Sequence, residues 1–417
     1  MRTVARINVA AIERNVAHIA GHVGPGTAVC AVVKADGYGH GAPAAARAAQ
    51  AGGATWLAVV TAREAQALRE AGVGGRLLLL GPVGDDDIGT ALDADAEVVV
   101  WEREGLERLR AQGRPAAVHV KVDTGMGRLG QRDLDEALAL CDAVAGDPVL
   151  RLSGAMTHFA TADEPGDAFF PEQLTRFERF VPAVRERHPG IVLHAANSAA
   201  TFRDPAAHFD MVRPGVAIYG LDPLQQDAAA RGLEPALEWH SRLASVKPLD
   251  PGESVGYGRR WTADHETRVG TVQAGYADGV RRALGVSGAH ALVGGRRVPL
   301  VGTVSMDSFG VDLGPGATDR PGDRVVLVGR DGGEHLPAEE LARWVGTINY
   351  EVTCAIGARV PREYHRDGVP LADPQAAPAG ISVGPADDAG PAGPSVAPAC
   401  RSAASGGRSA ASPAGTA

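Results

Sequence analysis

Between residues 28 and 220 the chain alternates short apolar runs with amphipathic or Ala-rich stretches, and this alternation limits the possible folds more than any other feature. The runs are 28–33, 56–60, 76–80, 97–101, 116–123, 150–158, 191–197 and 209–213, and helical periodicity fills stretches such as 62–71, 103–111, 132–144 and 172–187. Short β-branched or aliphatic runs separated by helices are the pattern of parallel strands joined by crossover helices. Eight such units in about two hundred residues fit a closed (β/α)8 barrel of the TIM type better than an open doubly wound sheet.

Such a barrel builds its active site at the C-terminal ends of its strands. Polar residues gather at those ends here: Lys34 after the first run, Arg128 beyond the fifth, His158 closing the sixth, Asn197 and Ser198 closing the seventh, and Arg213 closing the eighth. Loop polarity explains one or two of them, but a lysine, two arginines, a histidine and an Asn-Ser pair on one rim point to a binding site.

The first run and its turn read AVCAVVKADGYGHG, residues 28–41. A buried strand delivers one amine to a turn where Gly37, Gly39 and Gly41 permit sharp bends and close approach, with Tyr38 and His40 nearby. An ordinary solvated loop lysine has the same local pattern. Nucleophilicity requires surroundings that lower the amine's pKa from roughly 10.4. In the fifth run, His119, Lys121 and Asp123 share one face by strand parity, and Val118, Val120 and Val122 the other. An inward Lys121 needs an anion beside it, for which Asp123 is the candidate.

After Leu221 the character changes, and Gly-punctuated, Val-rich runs at 243–249, 268–274, 290–313 and 324–328 predict a mostly antiparallel β domain. The expected layout is an N-terminal strand within 1–10, with the β domain as its candidate partner, a barrel over 11–230, the β domain over 231–366, and a tail over 367–417. The tail is Ala, Gly, Pro and Ser with almost no large apolar residue, so it is expected to be disordered. With 417 residues and 45% hydrophobic content the chain has material for two cores, and no apolar run nears the roughly 18 residues of a membrane span. The net charge of −9 argues against a nucleic-acid partner. Cys30, Cys141, Cys354 and Cys400 lack CxxC spacing, which argues against both a disulfide framework and a zinc site. The first residues, MRTVARINVAAIERN, lack the apolar core of a signal peptide, so a cytoplasmic location is expected.

The motif around Lys34 resembles the cofactor-lysine motif of the alanine racemases, and further resemblances follow in that family's order: VKVDTGMGRLG (120–130), MTHFATAD (156–163), HAANSAA (194–200), MVRPGVAIYG (211–220), VGYGRR (255–260), GYADG (275–279), VGTVSMD (301–307) and TINYEV (347–352). The resemblance implies a barrel followed by a β domain, pyridoxal 5'-phosphate as cofactor, and interconversion of L- and D-alanine that supplies D-alanine for peptidoglycan. It implies Lys34 as cofactor lysine and first base, and Tyr257 as second base with His158 as its tuning neighbour. Arg213 is implied at the pyridine nitrogen, Tyr38, Ser198, Gly215 and Val216 around the cofactor phosphate, and Asn197 among the other cofactor-binding residues. Arg128 is implied near the ring oxygen and substrate, Met306 and Asp307 at the substrate carboxylate, and Tyr350 as a wall selecting a methyl side chain. Lys121 matches a lysine that some members carry as a carbamate. A head-to-tail homodimer with shared sites is also implied. Two other functions share these motifs. One is a racemase of broader amino-acid specificity. The other is a non-catalytic pyridoxal-phosphate carrier, disfavoured because such carriers end with the barrel, before Tyr257, Met306 and Tyr350.

Overall fold

In the computed structural model, which describes residues 2–371, the eight runs form eight parallel strands that close in chain order. They are Ala28–Val32, Trp56–Val59, Arg76–Leu79, Ala96–Val100, Ala116–Lys121, Leu150–Met156, Val192–His194 and Met211–Val212. Ala28 pairs with Met211 and Val29 with Val212, which closes the ring. Helices cover the outside while side chains fill the inside, so strand residues such as Leu77, Leu78, Val98, Val118 and Val120 are inaccessible on either face.

The last two strands are shorter than their apolar runs. Phe209 takes φ +49° and bends the chain, and Asp210 then substitutes for a ladder partner, its Oδ2 accepting the Leu193 N–H at 2.7 Å. The polar rim residues Asn197, Ser198 and Arg213 therefore lie just beyond the strand ends.

The C-terminal half is built on a ring of six antiparallel strands: Leu237–Leu249, Thr267–Val272, Phe309–Asp312, Arg296–Val301, His290–Val293 and Arg324–Asp331, the last pairing back onto the first. The run 290–313 resolves into three of these strands, with a turn at Gly294 and Gly295, both at positive φ. Thr3–Asn8 pairs antiparallel with Leu237–Leu249 and parallel with Arg362–Arg366, so the chain's first strand lies in the sheet of its last third. Order continues past residue 366, since Val369–Pro370 folds back on Arg362–Arg366 and Asp367 is held by Arg14 at 2.7 Å. The remainder of the tail, 372–417, lies outside the described residues.

Two helices, Ala338–Val345 and Asn349–Cys354, interrupt this sheet region where only strands were expected. Glu339 and Glu340 favour the first turn of the former, and Leu341 and Ala342 bury its inner face. The second helix carries Tyr350 toward the barrel.

Where the chain leaves the barrel, Gly220 sits at φ +73° with the Glu234 carbonyl oxygen only 1.7 Å from where a β-carbon would lie. Gly220→Ala is therefore expected to cost the roughly 1–2 kcal/mol of a left-handed L-residue plus the energy of displacing that backbone. Thermal unfolding checks it: a clearly lowered melting temperature is expected, and an unchanged one contradicts the packing.

Candidate active site

The first barrel strand continues its pairing through Val33, whose N–H donates to the Ala58 carbonyl at 2.8 Å, and the backbone then turns left-handed. Ala35, Asp36, Gly37, Tyr38 and Gly39 have φ of 52°, 52°, 61°, 53° and 85°. Glycine alone does not make this turn: three of the five are L-residues in a region costing roughly 1–2 kcal/mol each. Glu64 holds it by accepting the Ala35 N–H at 2.7 Å, and Asp36 by accepting the Ala42 N–H at 2.9 Å. Glu64 is also half of a capping box with Thr61. The signal Thr61-x-x-Glu64 is visible in the sequence, but its second duty beside Lys34 was missed. His40 turns away from the amine, stacking on Tyr219 with ring centroids 4.4 Å apart.

Lys34 opens into a cavity of about 390 Å³ lined also by Tyr38, His158, Asn197, Ser198, Arg213, Gly215, Val216 and Tyr350, and by Val32, Leu80, Ile348, Glu351 and Cys354. Nine of the residues singled out in the sequence thus meet in one place. Arg128 stands exposed at the rim, close enough for its charge to act on Lys34. Tyr257 and Met306 lie outside the cavity, 75% and 52% exposed. Asp307 also lies outside it and pairs with Arg359 at 2.7 Å.

One end of the cavity is a polar cradle. The Ser198 hydroxyl accepts the N–H groups of Gly215 at 2.9 Å and Ala217 at 3.3 Å, while Asn197 caps the adjoining helix through the Ala200 N–H at 3.0 Å. A β-carbon on Gly215 would fall 2.3 Å from the Tyr38 hydroxyl, so the glycine keeps a phenol and backbone donors together. Among the described residues the only carboxylate lining the cavity is Glu351, which is tied to Arg281.

Arg213 is buried at 2% exposure, and no carboxylate pairs with it among the described residues. Its Nη1 donates to His194 Nδ1 at 2.9 Å, and its Nη2 to the carbonyls of Thr157 and Ala195 at 2.8 and 2.9 Å and to His158 Nδ1 at 3.2 Å. Its Nε–H is buried without a partner. Burial pulls its pKa down to about 10, still far above neutrality, so it stays a cation. Burial, then the Arg213 charge, holds His158 and His194 well below the usual histidine range, so both imidazoles are neutral acceptors.

Burial and the Arg128 charge lower the Lys34 pKa, the change a nucleophilic amine requires. Burial, with Arg213 and Arg128, brings Lys121 down to about 8. Lys121 makes no ion pair among the described residues. Asp123 is engaged instead by the N–H groups of Gly125 and Gly127 and by Arg132.

A lysine of reduced basicity, a polar cradle and a buried unpartnered donor at the mouth of a (β/α)8 barrel, with an antiparallel sheet following it in the chain, define an enzyme on a barrel-plus-sheet scaffold. The family descriptions "Alanine racemase, N-terminal domain" and "Alanine racemase, C-terminal domain" match residues 7–223 and 236–364. An alanine racemase of Desulforamulus reducens is 42% identical over 366 residues, covering 86% of this chain and 98% of the relative. The crystal structure of alanine racemase from E. faecalis superposes with a TM-score of 0.82 at 38% identity, covering 87% of this chain and 98% of that one. The Bacillus anthracis alanine racemase structure with bound L-Ala-P gives 0.81 at 37% identity, covering 89% and 96%. The chain belongs to the alanine racemase family, a family of isomerases.

Lys121 carries a pH signature. Its pKa of about 8 in the fold lies below the roughly 10.4 of an unfolded lysine, so between those values the unfolded chain binds more protons and stability rises with pH. Below about 8 the fold bears the full cost of the buried charge. In CO2-free buffer, Lys121→Met is expected to be more stable than the parent at pH 7 and to lose part of that advantage by pH 10, as read by denaturant unfolding. A difference independent of pH contradicts this account.

Proposed function

We propose that the protein is a pyridoxal-phosphate-dependent alanine racemase, exchanging the α-proton of alanine between two faces through two bases. The observation that carries the cofactor assignment is the buried, unpartnered Nε–H of Arg213 in the same cavity as Lys34 and the Ser198–Gly215 cradle. These groups fit an aldehyde-bearing pyridine phosphate: an amine for the aldehyde, one donor for the ring nitrogen, and N–H and O–H groups for the dianion. When bound, pyridoxal phosphate supplies an electron sink that makes the α-proton of an amino acid removable.

Lys34 holds the cofactor and, once released, takes or returns the proton at the α-carbon on its own face, its lowered basicity keeping a usable fraction neutral. Arg128 at the rim orients the substrate carboxylate, together with backbone N–H groups at Met306 and Asp307 from a second copy of the chain. Tyr350, whose ring lies 6.0 Å from that of Tyr38, narrows the cavity toward a methyl side chain. Tyr257 is the base for the opposite face and comes from a second copy of the chain. The exposure of Tyr257, Tyr276 and Met306 supports a head-to-tail homodimer, since large side chains left open in one chain are those a partner covers. Lys121 is a carbamate in the working enzyme: its amine is buried, unpaired and of lowered pKa, so neutral amine is available to CO2 near neutrality, and the resulting anion would offset Arg128 and Arg213. The role consistent with this activity is D-alanine supply for peptidoglycan in the cytoplasm. Among the described residues no helix is long and apolar enough to cross a membrane.

Polarimetry on the cofactor-loaded protein tests the reading. L-alanine is expected to lose its optical rotation and, in D2O, to gain α-deuterium, while Lys34→Ala abolishes both. Inertness toward alanine with turnover of serine or lysine contradicts the substrate. For the shared site, Lys34→Ala and Tyr257→Ala are each expected to be inactive, and co-expressed mixtures to recover up to about a quarter of parental activity, since half the dimers are mixed and hold one complete site of two. Isolated mixed dimers as inactive as the parents would place Tyr257 in its own chain's site.

A further inference from the structure

From Arg213 a chain of buried polar groups runs down through the barrel to the N-terminal ends of its strands. His194 Nδ1 accepts from Arg213 Nη1 at 2.9 Å, His194 Nε2 lies 2.9 Å from His119 Nδ1, and His119 Nε2 lies 3.1 Å from Glu97 Oε2. Both imidazoles are inaccessible, and Glu97 is 6% exposed. At the lower end Arg76 donates from Nε to Glu97 Oε1 at 2.7 Å, and the Ser153 hydroxyl donates to Oε2. Arg76 lies over the Trp56 ring, 3.6 Å from its centroid, which fixes the anchor.

We propose that Glu97 and His119, acting through His194, are positioning residues for Arg213: they impose one hydrogen-bond direction along the chain, which holds Nη1 on His194 Nδ1 and leaves the Nε–H uncommitted. The direction follows from the end groups. A carboxylate only accepts and a guanidinium only donates. With two neutral imidazoles between them, His119 carries its proton on Nε2 for Glu97 and presents Nδ1 to His194. His194 then carries its proton on Nε2 and presents Nδ1 to Arg213. No other placement of the two protons satisfies all three bonds. Supporting this, burial alone would raise the Glu97 carboxyl, but His119, Ser153 and Arg76 hold it down at about 2, so the accepting end remains ionised. Burial also lowers the basicity of both histidines, which keeps them neutral.

Glu97→Gln tests the direction without changing the shape. Arg76 can only donate, so it claims the amide oxygen at the Oε1 position and leaves the amide NH2 facing His119. His119 must then accept through Nε2, both ring protons move to Nδ1, and His194 confronts Arg213 with a second donor. Glu97→Asp, which keeps a carboxylate, is the control. The first readout needs neither cofactor nor substrate: 15N NMR of histidine-labelled protein is expected to show His119 and His194 as Nε2–H tautomers in the parent and in Glu97→Asp, and as Nδ1–H tautomers in Glu97→Gln. In function, which rests on the racemase reading, Glu97→Gln is expected to shift the absorption maximum of the cofactor-loaded protein. It should also lower kcat for alanine by about tenfold with KM changed less than about threefold, and Glu97→Asp should restore both. A parental spectrum with either histidine protonated on Nδ1, or on both nitrogens, overturns the proposal even if Glu97→Gln fails to fold. So do inverted tautomers with unchanged absorption and kcat. Parental protein that shows both Nε2–H tautomers but racemises no amino acid overturns the functional reading and upholds the relay.

Discussion

A buried cation without a counter-ion is the constraint on which the site depends. An unpaired charge in a barrel interior is expensive, and Arg213 is tolerated because two carbonyls and two neutral imidazoles accept four hydrogen bonds from its terminal nitrogens. Those acceptors exist because the seventh and eighth strands stop early, freeing backbone carbonyls such as that of Ala195, and because the sixth strand delivers Thr157 and His158 beside them. A guanidinium so held remains protonated. Facing a pyridine nitrogen it would donate a hydrogen bond and keep its proton, unlike a carboxylic acid, which would protonate the ring. A ring left unprotonated is a weaker electron sink, which suits an enzyme that must return the α-proton without side reactions.

The second constraint is the strained turn after Lys34, and it ties the two halves of the chain together. Left-handed residues persist only where surroundings over-determine them. Here Glu64 and Asp36 fix the turn from the barrel side, and the C-terminal half packs on its outer face. Arg362 Nε donates to the Gly39 carbonyl at 3.1 Å, the Thr353 carbonyl oxygen lies 2.2 Å from where a Gly39 β-carbon would be, and the Tyr364 hydroxyl lies 1.8 Å from that of Gly41. Lys34 is thus aimed by residues more than three hundred positions away. The sheet that holds it also carries Tyr257 and Met306, the groups assigned to a neighbouring copy's site.

The barrel was legible because parallel strands buried on both faces appear as continuous apolar runs, and its mouth because five of the eight runs are closed or followed by polar residues. Less was legible where contacts decide. The helices at 338–345 and 349–354 are short and lie among strand signals, so their periodicity gave little warning. Parity put His119 on the Lys121 face, but its partners Glu97 and His194 stand 22 and 75 residues away, and only barrel closure brings them together. Asp123 stood two residues from Lys121 and was a reasonable counter-ion, yet backbone N–H groups of its own loop claim it. Tyr257 shows the opposite limit: its motif is plain in the sequence, while the fold of one chain leaves it exposed and outside the cavity.

With pyridoxal phosphate bound as proposed, Arg213 would give the ring nitrogen a hydrogen bond and keep its own proton. Reconstituting the protein with pyridoxal phosphate labelled with 15N in the ring and recording the nitrogen shift measures this directly. The account predicts the shift of an unprotonated, hydrogen-bonded pyridine nitrogen that does not change between pH 6 and 9, and that moves when Arg213 is replaced by glutamate. A pyridinium shift in the parent protein at neutral pH would contradict it.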